Sequence, residues 1–210
     1  MRVATVLLIV YLVACAASQT LPDGASAVPF DCPAPENLRE PRNESERLEF
    51  ERRARYRAIF PAYLAAVPEQ PDAELLMPVD GVRVSQVADT WGAPRGGGRS
   101  HEGQDIFAPR GTSVRSVVPG YVYRVGESRL GGNVVVVVGG GGRRYYYAHL
   151  HGFADVREGQ RVEQGDLLGY VGTTGNAAGT PPHLHFGVYV GDANPCAWHA
   201  VDPLPLLVDR

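Results

Sequence analysis

The sequence predicts an all-β domain, a compact antiparallel barrel or sandwich, preceded by an export segment, a tether and one amphipathic helix. Three observations carry this expectation. From Leu75 onward, short runs of β-branched and aromatic residues alternate with glycine-rich breaks. No sustained helical period interrupts those runs, so no helices are on hand to cover a parallel sheet. The 210 residues include 25 Gly and 17 Pro, which favours short strands and tight turns over long helices.

The chain begins MRVATVLLIVYLVACAAS, one early Arg followed by an uncharged, mostly apolar run from Val3 to Val13. That run is too short to cross a bilayer, which takes roughly 20 residues. It reads instead as a secretory signal. Its end, Leu12-Val13-Ala14-Cys15, resembles the lipobox of bacterial lipoproteins, where cleavage leaves a lipid-modified cysteine at the new N-terminus. Ala14-Cys15-Ala16 also fits the small-x-small pattern of ordinary signal cleavage. With Cys15 acylated, Ala16 in the next position points to sorting to the periplasmic side of the outer membrane. With ordinary cleavage the product is secreted or periplasmic and soluble. Residues 1–17 are therefore assigned to the signal and lipobox.

Three Cys are present. Once Cys15 is acylated or removed, Cys32 and Cys196 form an even pair available for a disulfide in an oxidising compartment. Residues 18–43 are rich in Pro, Ala and small polar residues without apolar period, and read as a tether. Over 44–68 the pattern changes. Tyr56, Ile59, Phe60, Tyr63, Leu64 and Val67 recur at helical spacing behind a crowd of Arg, with Asn43 or Ser45 as N-cap and a kink expected at Pro61.

Strands are expected at Val82–Val84, Ser113–Val118, Tyr121–Val125, Asn133–Val138, Arg144–Ala148, Leu167–Val171 and Leu184–Val190. The segment NVVVVVGGGGRRYYYAHL reads as a hairpin around a glycine tetrad. A formal net charge of −3 gives no support to nucleic-acid binding, so no nucleic acid is expected as a partner. All 20 basic residues are Arg, which carries no mechanistic reading.

The chemistry concentrates in three short segments. TPPHLHFGVYV alternates, with His183, His185, Gly187 and Tyr189 on one side and Leu184, Phe186, Val188 and Val190 on the other. Its two histidines therefore share one face, about 6.6 Å apart at twice the strand rise. YYYAHLHG places His149 at the end of a strand. HEGQDIFAPRGTSV supplies His101 and Asp105, which a straight strand would hold roughly 13 Å apart. Gly103 between them permits a bend that lets both reach one ion. Imidazole plus carboxylate suits zinc, and three protein ligands with an open fourth position is a catalytic arrangement.

His-x-x-x-Asp followed by IFAPRGTSV, then YAHL, then HLHFGV, resembles the lysostaphin-like (LytM-type) zinc endopeptidases that cut the peptide cross-links of bacterial peptidoglycan. The resemblance runs over 75–207 and includes the glycine-rich segment VREGQRVEQGDLLGYVGTTG. It implies the duplicated hybrid motif fold, Zn2+ as cofactor and peptidoglycan stem peptides as partners. It further implies His101, Asp105 and His185 as zinc ligands and His149 and His183 as the two catalytic histidines. His151 and His199 match nothing functional in that pattern. The membrane would be a partner only through the lipid anchor, and a thin wall under an outer membrane makes a D-Ala–diaminopimelate cross-link the expected bond.

Two other functions are compatible with parts of this pattern. Some relatives are exported lipoproteins with degenerate metal sites that regulate and activate cell-wall amidases, but here all five motif positions are filled. A phosphotransfer carrier using paired histidines shares the implied fold, yet an export signal and an acidic ligand argue against it.

Overall fold

A run of five valines, Val134–Val138, sets the architecture. Successive strand residues point to opposite faces, so a strand with valine at every position needs apolar cover on both. Val135 and Val137 enter the main core, while Val136 and Val138 enter a second apolar cluster on the reverse face. The structure is a computed structural model and describes residues 21–22, 40–191 and 197–210. Cys15, Cys32 and Cys196 lie outside the described residues, as does nearly all of the expected signal and tether.

Helix α1 (Glu44–Ala66) precedes the strands. In chain order these are β1 (Leu75–Leu76), β2 (Pro94–Arg95), β3 (Arg99–Ser100), β4 (Gln104–Phe107), β5 (Ser113–Arg115), β6 (Gly120–Ser128) and β7 (Gly132–Val138). There follow β8 (Arg144–Leu150), β9 (Gly152–Phe153), β10 (Arg161–Val162), β11 (Leu167–Tyr170), β12 (His183–Gly191), β13 (Trp198–Val201) and β14 (Leu207–Val208). A seven-stranded antiparallel sheet runs β10-β6-β7-β8-β12-β13, with β4 pairing beside β13 along the same edge of β12. A smaller sheet runs β5-β11-β9, and β1 pairs in parallel with β14. The sheets do not close into a barrel, and the arrangement is sandwich-like. Val122, Tyr145, Tyr147, Leu184, Phe186 and Val188 from the large sheet meet Val114 and Leu168 from the small one in a common core.

On the reverse face of the large sheet lies α1. Asn43 caps it, its side chain accepting a hydrogen bond from the Glu46 backbone N–H at 3.0 Å. The first half is exposed and laced with Arg–Glu pairs such as Arg47–Glu51 and Arg53–Glu49, each a minor contribution. Only the second half buries an apolar stripe. Ile59, Phe60 and Tyr63 pack on Tyr123, Val136 and Val138. Tyr63 donates to the Val122 carbonyl, and Arg55 pairs with Glu158. Arg144 is covered by Phe60, Tyr123 and Trp198 rings, a cation–π stack joining helix and sheet. Gly142 has φ +67, and a Cβ there would lie 2.2 Å from Leu64, so the β7–β8 turn meets the helix only as glycine.

Several expected boundaries are corrected. Val82–Val84 is not a strand; Val84–Gln86 forms a single 3-10 turn, held by a bond from the Val84 N–H to Asp209. The run expected over Ser113–Val118 pairs only at Ser113–Arg115. Strand β4 was not among the expected strands; it begins just after the bend at Gly103. Among the described residues, no helix is long and apolar enough to cross a membrane.

Candidate metal centre

The site begins with the alternation in β12. Leu184, Phe186 and Val188 drop into the core, which forces His183 and His185 onto the opposite face. Strand β4 pairs antiparallel with this half of β12 and sets Asp105 directly opposite His185. Directly opposed side chains sit about 5 Å apart at Cβ, close enough for two short side chains to share an ion. His101 arrives from the segment before β4. The chain turns there at Gly103, where a Cβ would meet the Phe186 carbonyl at 2.6 Å and the His185 ring at 2.8 Å. Only glycine fits.

Three donor atoms converge. His101 Nε2 lies 2.8 Å from His185 Nδ1 and 3.1 Å from Asp105 Oδ1, and His185 Nδ1 lies 3.3 Å from the same oxygen. Ligand bonds of about 2 Å in a tetrahedron require edges of roughly 3.3 Å. The triangle has nearly that size, and its two imidazoles and one carboxylate are a borderline-hard donor set that fits zinc. His101 Nδ1 faces the Thr90 carbonyl at 2.7 Å, so a metal-bound His101 would donate there and give its Nε2 lone pair to the ion. Burial opposes the charge on Asp105, but hydrogen bonds from His101 and His185 overcome it and hold the carboxyl well below the usual range. Burial likewise pushes the His185 pKa down, against the pull of Asp105.

His149 and His183 stand beside this triangle. His183 Nδ1 faces the Pro181 carbonyl at 2.8 Å, and its Nε2 lies 3.8 Å from Asp105 Oδ1. His149 Nδ1 faces the Thr174 carbonyl at 2.9 Å. Both rings are thereby set with Nδ1 as donor and Nε2 directed away from the backbone. His149 is the one non-glycine described residue with positive φ, at +62°. That conformation costs an ordinary residue roughly 1–2 kcal/mol, and such strain gathers at functional positions. Burial and the neighbouring His185 and His183 lower its pKa to about 4. Phe107, half exposed, lies against His183, and Tyr146 meets His185 edge to face.

All five motif residues therefore share one end of the β12 face. His151 is exposed and accepts from Arg110, and His199 lies on β13, paired opposite Val190. Three supporting residues escaped the sequence reading. Thr90 accepts from His101, Arg95 donates to Asp105, and the fully buried Gln104 bridges Thr90, Asp89 and Asp202. The repeated glycines at 96–98 form the tip of the β2–β3 hairpin, but nothing in the sequence pattern marks the contacts it makes.

Two imidazoles and a carboxylate at the end of a β-sandwich, flanked by two further imidazoles, suit a metallopeptidase. The chain belongs to peptidase family M23: residues 99–203, half of its length, match that family. Among curated proteins it is similar to an L-Ala–D-Glu endopeptidase of Bacillus subtilis, at 42% identity over 56% of this chain and 38% of the relative. It is also similar to a glycyl-glycine endopeptidase of Staphylococcus capitis, at 36% identity over 52% of this chain and 30% of the relative. The chain thus spans well under half the length of these two relatives. The catalytic domain of the antimicrobial peptidase lysostaphin from Staphylococcus simulans superposes with a TM-score of 0.50 at 32% identity, over 58% of this chain and 92% of that domain.

Proposed function

We propose that this chain is an exported, zinc-dependent endopeptidase that hydrolyses peptide cross-links of bacterial peptidoglycan. The observation that carries the reading is the donor triangle of His101, Asp105 and His185 with two imidazoles alongside. His101 Nε2, His185 Nδ1 and Asp105 Oδ1 would hold the ion. When bound, zinc supplies Lewis acidity and lowers the pKa of a coordinated water toward about 7. His149 and His183 act as an acid–base pair. A neutral ring with Nδ1 on a carbonyl offers Nε2 as acceptor for the water's proton, and the protonated ring then donates to the leaving amine. The partner ring, when it carries a proton on Nε2, steadies the developing oxyanion. Phe107 packs against the His183 ring and Tyr146 against the ring of His185.

The peptide bonds named for the relatives, L-Ala–D-Glu and glycyl-glycine, together with the motif resemblance support peptidoglycan as substrate class, and the filled motif positions argue against a non-enzymatic activator of amidases. Export rests on the N-terminal apolar run. Anchoring through a lipid on Cys15, on the periplasmic side of the outer membrane, rests on Leu12-Val13-Ala14-Cys15. A Cys32–Cys196 disulfide rests on cysteine parity and that compartment. The test is mass spectrometry of purified peptidoglycan digested with the chain lacking its first 17 residues, with and without a chelator. New amino termini that vanish with chelator are expected, and their masses distinguish D-Ala–diaminopimelate from L-Ala–D-Glu cleavage. Intact peptidoglycan in both arms contradicts the reading.

A further inference from the structure

Asp105 has two carboxylate oxygens, and the donor triangle uses one. Oδ1 faces His101, His185 and His183. Oδ2 instead accepts a hydrogen bond from Arg95 Nη2 at 2.8 Å. We propose that Arg95 is a positioning residue of the metal site: it occupies Asp105 Oδ2, confines the carboxylate to a single ligand atom and sets how tightly the ion is held.

The placement of Arg95 is built into the backbone. Strands β2 and β3 pair Pro94 with Ser100 and Arg95 with Arg99. The ladder continues through the His101 N–H to the Ala93 carbonyl and the Gly92 N–H to the His101 carbonyl, both at 2.9 Å. Arg95 and His101 thus hang from one hairpin, and a shift of one moves the other. At Asp105 the backbone is also fixed, since its N–H donates to Thr90 Oγ1 at 3.0 Å. What remains free is rotation of the carboxylate about its own side-chain bonds. The guanidinium blocks that rotation from a position where Arg95 is about one-third exposed and Asp105 is 14% exposed.

The chemistry follows from the two oxygens. A carboxylate with both on one ion fills two coordination positions and closes the one a water needs. An Arg is charged at every working pH and its planar donors match a carboxylate oxygen, so it competes effectively for Oδ2. Held in one orientation, the carboxylate meets the ion without first losing rotational freedom. Outer partners of this kind commonly contribute 10–100-fold to metal affinity.

This inference rests on the metal reading above, and its test needs no peptidoglycan. Zinc affinity of the chain lacking its first 17 residues is measured by chelator competition for the parent, Arg95→Ala, Arg95→Gln and Arg95→Lys. Cobalt is then substituted, and its visible absorption reports coordination number. Arg95→Ala and Arg95→Gln are expected to bind zinc roughly 10–100-fold more weakly. Their cobalt bands should weaken as a fifth ligand enters, and Arg95→Lys should recover part of both. Circular dichroism of the Gln and Lys variants checks that the hairpin folds. Parental affinity and an unchanged cobalt spectrum in folded Arg95→Gln overturn the proposal. So does a variant whose KM rises while its zinc affinity stays parental, because Arg95 would then serve substrate. A parent chain that takes up no zinc overturns the metal reading itself, and this inference with it.

Discussion

The imidazole rings of His149 and His183 meet edge to face, with centroids 5.1 Å apart. Each has its Nδ1 on a backbone carbonyl, so the two rings are oriented by the main chain and not by the metal cluster. His149→Ala and His183→Ala should therefore retain zinc while losing on the order of 10²-fold or more in turnover. The double variant should lose little more than the worse single one, as expected of groups that act together. Zinc content by atomic absorption, read beside peptide turnover, checks this. Loss of zinc from either variant to the extent seen for His185→Ala would refute the division of roles.

The cluster itself makes a different prediction. His101→Ala, Asp105→Ala and His185→Ala should each release most of the bound zinc. The metal-free parent should nonetheless remain folded, because Tyr147, Phe186 and Leu184 are fully buried without any contribution from the ion. Circular dichroism after dialysis against a chelator measures this. Unfolding on metal removal would make the site structural.

The low pKa of His149 predicts an acid sensitivity. Its folded pKa, about 4, lies below the ordinary value near 6.5, so the unfolded chain binds the proton more readily. The neutral ring contributes no penalty above about pH 6.5. Stability then falls as pH drops from there toward about 4, by on the order of 3 kcal/mol in total. Asp105, also held low, adds a further loss at more acid pH by the same sign. Urea unfolding of the metal-free chain should show that decline between pH 6.5 and 4, and His149→Gln should make it shallower, leaving the part due to His185. Parallel curves for the two proteins would reject the assignment.

The helix supplies stability rather than chemistry. Phe60 is fully buried and meets Tyr123 and Trp198 edge to face. Phe60→Ala should cost about 3–5 kcal/mol and leave zinc affinity unchanged. A chain starting at Leu75 should be less stable yet at least as active on peptidoglycan. Stable but inactive protein would place α1 in the substrate site. Non-reducing peptide mapping of exported protein should find Cys32 joined to Cys196; two free thiols would reject that bridge.

How far the sequence reveals this arrangement differs from strand to strand. The β12 alternation was legible because period-two burial places side chains without knowledge of any partner. Strands β7 and β8 were legible for a related reason, since β-branched and aromatic runs flank a glycine tetrad. The meeting of Asp105 with His185 was not. It depends on β4 lying against β12, a pairing across 80 positions of chain that no local pattern encodes. The expected bend at Gly103 does occur, but it positions His101, while Asp105 is placed by cross-strand register. Val82–Val84 misled because its alternation is that of a strand, whereas a hydrogen bond from its backbone to Asp209 at the far end of the chain fixes a turn. Arg95 was invisible because one Arg among many carries no period.

The most direct test of the central claim is a zinc titration of chelator-stripped protein, followed by release of peptides from purified peptidoglycan. Activity should rise linearly and level off at one zinc per chain, and the Asp105→Ala variant should stay inactive throughout the same range. Peptide release by fully stripped protein, or a parental titration curve from Asp105→Ala, would contradict it.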